Sequence, residues 1–194
     1  VGHSYGGLCA LGAARAGAPI RRLVLFEPPI PTYAEAYYPN HLIETMRNAL
    51  ERGDRDAAAE AFVTGVFRSS TQELGEMKKL AMWQQMVSKA PIVLRELQAV
   101  DRFKLLASDY EGWSIPTLLM LGGESPPQYG ATINALHAIL PGSSIATLKG
   151  QQHSAVRTAP DLFATTVRKF LKRRIAGATP ARSRGTSKRR VRGA

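Results

Sequence analysis

Val1-Gly2-His3-Ser4-Tyr5-Gly6-Gly7, running into Leu8-Cys9-Ala10-Leu11-Gly12-Ala13-Ala14-Arg15-Ala16, is the stretch from which the fold is read. Its start fits the pattern Gly-x-Ser-x-Gly, with Gly2, Ser4 and Gly6 at the fixed places. In that pattern a strand turns sharply into a helix. The serine then holds a strained backbone conformation that only small neighbours leave room for, which makes the glycines steric requirements. The residues from Leu8 to Ala16 are small enough for a helix lying close on a sheet, and Gly17 and Pro19 stop it. Three fixed positions in five arise often by chance, so the motif gains weight only from its context.

That context is a repeating order of strand and helix. Arg22-Leu23-Val24-Leu25-Phe26 is a short apolar run closed by Pro28 and Pro29, as expected of a parallel strand buried on both faces. Pro116-Thr117-Leu118-Leu119-Met120-Leu121-Gly122 is a second strand, and Ile133, Leu136 and Leu140 mark the helix after it, ended by Pro141-Gly142. Ser144–Leu148 reads as a third strand, and Pro160 opens a last helix with Phe163, Val167 and Phe170 on one face. The expected class is α/β with a parallel sheet.

Between the first two of these strands the pattern is helical. Ile43, Met46 and Leu50 share a face, Gly53 stops that helix, and Asp54 caps one carrying Ala58, Phe62 and Val66. Ser70 with Glu73 reads as a capping box for a third helix running through Leu80 and Trp83. The expected organisation is a sheet-and-helix core over 1–30 and 111–174, a helical insertion over 31–110, and a basic, disordered tail over 175–194.

Composition narrows the function classes. The 194 residues carry 26 Lys and Arg against 15 Asp and Glu, but eleven of the basic residues and no acid lie in 168–194. Residues 1–167 are therefore neutral, and the whole charge of +11 sits in 168–194. The one cysteine, Cys9, can form neither an internal disulfide nor a multi-cysteine zinc site, so a reducing, cytoplasmic compartment is expected and no metal or cofactor is called for. No run of about 18 apolar residues is present to span a bilayer, and the start lacks the features of a signal peptide.

A serine hydroxyl is a poor nucleophile at neutral pH unless a neighbour takes its proton. Of the four histidines, His3 adjoins Ser4 and is expected to be turned away from it, while His41 and His137 fall at helical spacing. His153 follows the last strand, in Gly150-Gln151-Gln152-His153, where the base of a Ser, acid, His chain order belongs.

With these landmarks in order, the chain resembles the α/β-hydrolase superfamily over essentially Val1 to Leu171. The resemblance implies a partial α/β-hydrolase fold with a helical cap, Ser4 as nucleophile, His153 as base, and the backbone N–H of Tyr5 as an oxyanion donor. The usual acid position, fourth in Gly122-Gly123-Glu124-Ser125, holds Ser125. Two acids can substitute: Glu124, one residue early, and Glu27, at the end of the first strand, where the haloalkane dehalogenase branch shows an acid can also stand. Glu27 is preferred because catalytic groups gather at the C-terminal ends of parallel strands. Serine in place of a nucleophilic carboxylate excludes dehalogenation through an ester. The implied chemistry is hydrolysis of an ester, amide or related bond of a small molecule through an acyl-enzyme. Tyr33, Tyr37, Tyr38, Phe62, Phe67, Met82 and Trp83 are expected to wall the pocket.

The resemblance also implies that earlier strands of such a sheet precede Val1, together with a second oxyanion donor. The chain alone is therefore expected to be a fragment with impaired activity, with strand 22–26 exposing an unpaired edge. In a different class of function, the domain is catalytically silent and residues 182–192 bind nucleic acid or an anionic surface through charge. Oligomeric state leaves no mark in the sequence.

Overall fold

The structure is a computed structural model and describes residues 1–32 and 37–173. Tyr33 and the basic tail over 182–192 lie outside the described residues.

The chain opens with β1 (Gly2–His3), turns at Ser4 into α1 (Tyr5–Arg15), and returns through β2 (Leu23–Phe26). Four helices follow: α2 (Leu42–Glu51), α3 (Arg55–Val66), α4 (Thr71–Lys78) and α5 (Met82–Arg102). A short 3₁₀ turn at Ala107–Tyr110 leads to β3 (Thr117–Gly122), α6 (Pro127–Ile139), β4 (Ser144–Leu148), α7 (Ala155–Thr158) and α8 (Pro160–Lys172). The sheet has the order β1-β2-β3-β4 and is parallel throughout, with Gly2 opposite Leu25, Leu25 opposite Leu119, and Leu119 opposite Ile145. This is the α/β architecture of part of an α/β-hydrolase fold.

Successive strand side chains point to opposite faces, and that period divides the core in two. Leu23, Leu25 and Leu119 meet Leu8 and Leu11 of α1 and Ile133 and Leu136 of α6 on one face. Val24, Phe26, Leu118 and Met120 meet Phe163, Val167 and Phe170 of α8 on the other. All four residues of β2 are buried, as its unbroken apolar run requires. Each such side chain contributes about 1.5–3 kcal/mol over leaving it in water.

β2 is not left without a neighbour on its far side. β1 pairs with Leu25 and Phe26, so only Leu23 and Val24 lack a partner strand there.

The inserted helices begin and end where local chemistry dictates. Gly53, at φ +76°, lets the chain leave α2 by a left-handed turn. Asp54 then caps α3 by accepting the Ala57 N–H at 2.9 Å. The Ser70–Glu73 capping box is complete, with Ser70 N–H donating to Glu73 Oε2 at 2.7 Å and Glu73 N–H to Ser70 Oγ at 3.2 Å. The third helix does not run on through Leu80 and Trp83. It stops at Lys78, and a turn separates it from α5. The break swings Trp83 under α3, where it packs on Ala59 and Val63 and its indole N–H donates to Asp56 Oδ2 at 2.8 Å. Burying one large aromatic outweighs continuing a regular helix by a turn. Among the described residues, no helix is long and apolar enough to cross a membrane.

Candidate active site

Ser4 stands at the hairpin bend between β1 and α1 with φ +53° and ψ −132°. A non-glycine residue with positive φ costs about 1–3 kcal/mol, and its surroundings must hold it there. Here the Ser4 N–H donates to the Phe26 carbonyl at 2.9 Å, and the Ser4 carbonyl accepts from Gly7 N–H at 2.7 Å. The glycines are not equivalent. A Cβ on Gly2 would lie 2.5 Å from the Gly6 carbonyl oxygen and 2.6 Å from Gly7 Cα, and one on Gly7 would press on Pro28 at 3.2 Å. One on Gly6 would meet nothing within 4 Å, so of these glycines Gly2 is the steric requirement and Gly7 only a tight fit. Tyr5 begins α1, and its N–H is one of the donors that a helix start leaves without an intrahelical acceptor.

Glu27 follows β2 directly, at φ +45°, and is fully buried. One carboxylate oxygen accepts the Gly122 N–H at 2.7 Å, and the other pairs with His153 Nδ1 at 2.7 Å. His153 reaches it because the loop after β4 is laced to the end of β3: Gly123 N–H donates to the Leu148 carbonyl and Glu124 N–H to that of Gln151, each at 2.9 Å. An ionised carboxylate only accepts, so in this pair Nδ1 is the nitrogen that carries a proton. Glu124, the other candidate acid, is exposed, and its carboxylate makes no hydrogen bond or ion pair to His153. Ser125 turns its Oγ inward to a buried position with no partner.

The His153 ring is held from both sides. Tyr129 stacks on it at 4.6 Å and 22°, and His3 packs at 4.6 Å and 46°. His3 Nε2 donates to the His153 carbonyl at 2.9 Å while its ring stacks on Phe26. Burial, and then the nearby His153, draw the His3 imidazole below its ordinary pKa and favour its neutral form. His41 and His137 stand apart and are exposed, and His137 Nδ1 pairs with Ser143 Oγ.

Ser4, Tyr5 and His153 line one cavity of about 100 Å³ beneath the inserted helices. No hydrogen bond joins Ser4 to His153. Tyr37, Tyr38, Phe62 and Phe67 form its walls, as expected from their aromatic character, together with Tyr129. Met82 and Trp83 do not: Met82 faces an adjoining hollow and Trp83 belongs to the helical core. Burial raises the phenols of Tyr37 and Tyr129 and pushes Tyr38 up to about 12, so all three are neutral walls. Tyr38 donates its hydroxyl to the Leu97 carbonyl at 3.1 Å. Sequence reading missed His3, Tyr129 and the cavity-wall residue Glu96. His3 had a signal in its place beside Ser4, whereas nothing local marks the other two. Among the described residues, no three His, Cys, Asp or Glu side chains gather to hold a metal ion.

A parallel sheet whose strand-to-helix bend carries a strained serine, facing a histidine tied to a buried acid, has the architecture of the α/β hydrolases. The Alpha/beta hydrolase family pattern matches residues 1–166, and the chain belongs to that family. It is similar to an alpha/beta hydrolase from Sphaerobacter thermophilus, at 28% identity and a TM-score of 0.75, over 88% of this chain and 65% of that one. It shares the fold of a bromoperoxidase from Bacillus anthracis, at 21% identity and a TM-score of 0.61, over 89% and 66% of the two chains. The same holds for an enol-lactonase from Burkholderia xenovorans, at 20% identity and a TM-score of 0.62, over 89% and 64%. The chain thus spans slightly less than two thirds of the length of these structures. No curated protein matches the sequence.

Proposed function

We propose that the chain carries the catalytic centre of a serine hydrolase acting on an ester, amide or related acyl bond of a small molecule. The observation that carries this reading is the buried Glu27 carboxylate, 2.7 Å from His153 Nδ1, behind a histidine that shares its cavity with Ser4. A carboxylate withdrawn from water and shared between a backbone N–H and an imidazole serves to fix a tautomer and to stabilise the imidazolium.

In this reading Ser4 Oγ attacks the substrate carbonyl carbon as its proton passes to His153 Nε2. The oxyanion is met by the Tyr5 N–H at the start of α1, where the helix dipole also favours negative charge. The tetrahedral adduct collapses, the bond to the leaving group breaks, and His153 returns the proton to that group. Water, deprotonated by the same nitrogen, then releases the acid and restores Ser4. Glu27 keeps Nδ1 protonated throughout, while Tyr129 and His3 hold the ring plane. Removing one such oxyanion donor typically costs about 10²–10³ in turnover.

A fluorophosphonate probe tests the reading because it needs an activated serine and no particular substrate. Covalent labelling at Ser4, lost in Ser4→Ala and in His153→Ala, is the expected result. A folded chain that remains unlabelled after prolonged exposure would refute it.

A further inference from the structure

We infer that Glu96 makes the Ser4 cavity a site for substrates bearing an ammonium group, an inference that rests on the serine hydrolase reading above. Glu96 lies on α5 with Val93, Leu97 and Val100, whose spacing puts all four on the face that lines the cavity. Its carboxylate makes no hydrogen bond or ion pair, unlike Glu27, whose two oxygens are both engaged. Among the described residues it is the one carboxylate in the lining, and no Lys or Arg lines the cavity with it. The rest of the wall is largely aromatic, with Tyr37, Tyr38, Phe62 and Phe67 contributing rings.

Aromatic faces carry negative potential and attract cations, and one carboxylate among them adds a full opposite charge. A carboxylate left unpaired in such a wall is penalised. Burial raises Glu96 above its ordinary pKa, opposed by its neighbour Arg95. A bound ammonium removes that penalty, whereas a carboxylate-bearing substrate would meet repulsion. Arg95 is near enough to act on both Glu96 and Tyr5 but is exposed and does not line the cavity, and Lys89 and Arg157 are exposed in the adjoining hollow that shares only Phe62 and Val93 with it. Glu96 also lies near enough to Tyr5 to add to the rise of its phenol, after burial and Cys9. Glu96, Tyr5 and Ser4 thus line one and the same cavity.

Choline and its uncharged isostere 3,3-dimethylbutan-1-ol differ in charge and little in shape, so their binding isolates the effect. Followed by ligand-observed NMR on the full chain, choline is expected to bind about tenfold more tightly than the alcohol. Glu96→Gln should cut that ratio below about threefold, and Glu96→Asp, which keeps the charge, should restore most of it. Equal affinity for the two ligands, binding of neither, or a ratio unmoved by Glu96→Gln in a folded protein would overturn the inference. Fluorophosphonate labelling is scored separately. A preference for choline in a chain that never labels sinks the hydrolase reading and leaves the cation site standing, while labelling without the preference does the reverse.

Discussion

Replacing Glu27 by Gln exchanges one oxygen for an NH₂ and leaves size and burial unchanged. The native carboxylate accepts from Gly122 N–H and His153 Nδ1–H, both at 2.7 Å. The glutamine carbonyl can keep the Gly122 bond, but its NH₂ then faces Nδ1 and can only donate. The imidazole must therefore carry its proton on Nε2, the nitrogen that the mechanism needs empty. A histidine locked in that tautomer loses about 10⁴ in rate, equivalent to about 5.5 kcal/mol in the barrier. The folding cost is about 1 kcal/mol, because both contacts are replaced rather than lost. Glu27→Ala would leave the Gly122 N–H unpaired in the core and cost about 1–3 kcal/mol in stability. The rate of fluorophosphonate labelling at neutral pH, with urea unfolding in parallel, separates these effects. Labelling of folded Glu27→Gln within tenfold of the wild-type rate would refute the role of Glu27. So would a comparable loss in Glu124→Gln, which is expected to change the rate less than twofold.

Other outcomes follow from backbone geometry and burial. Ser4→Gly abolishes labelling yet stabilises the fold by about 1 kcal/mol by relieving the strain at φ +53°, which raises Tm by roughly 2–4 °C for a chain of this size; a lower Tm would show that the turn is not strained. Gly2→Ala destabilises by about 2–4 kcal/mol, because its Cβ meets backbone atoms at 2.5 and 2.6 Å, while Gly6→Ala stays within about 1 kcal/mol of wild type in the same urea titration. His3 has a folded pKa depressed mainly by burial, so below about pH 6.5 the unfolded chain binds the additional proton and stability falls with pH through that window. His3→Gln should remove that component, so the stability difference between wild type and variant should shrink as the pH drops from about 7 to 5, and a constant difference would contradict it.

The division between what was legible in the sequence and what was not follows sequence separation. The bend at Ser4, the stops at Gly53 and Gly17, the Asp54 cap and the Ser70–Glu73 box all depend on atoms within a few residues, so local pattern suffices to place them. The strands at 23–26 and 117–122 were also legible, since a parallel sheet buried on both faces leaves unbroken apolar runs, whereas 144–148 lies half exposed and was placed by the Pro141-Gly142 stop before it. Where α4 ends was not, because the indole of Trp83 finds Asp56 across 27 positions and that bond overrides local helix preference. The sequence favoured Glu27 over Glu124 only by its place at a strand end, and their different surroundings appear only in the fold. Both follow a strand, and what separates them is burial and a partner 126 residues away from Glu27. Tyr129 and His3 acquire their contacts with His153 only when α6 and the loop after β4 are brought to the ends of β1 and β2. Glu96 looks from its sequence like any charged residue on a helix. Only the packing of α5 against α1, α2 and α3 turns its side chain into the wall of a cavity, because the exclusion of water from a site depends on the whole set of elements that surround it.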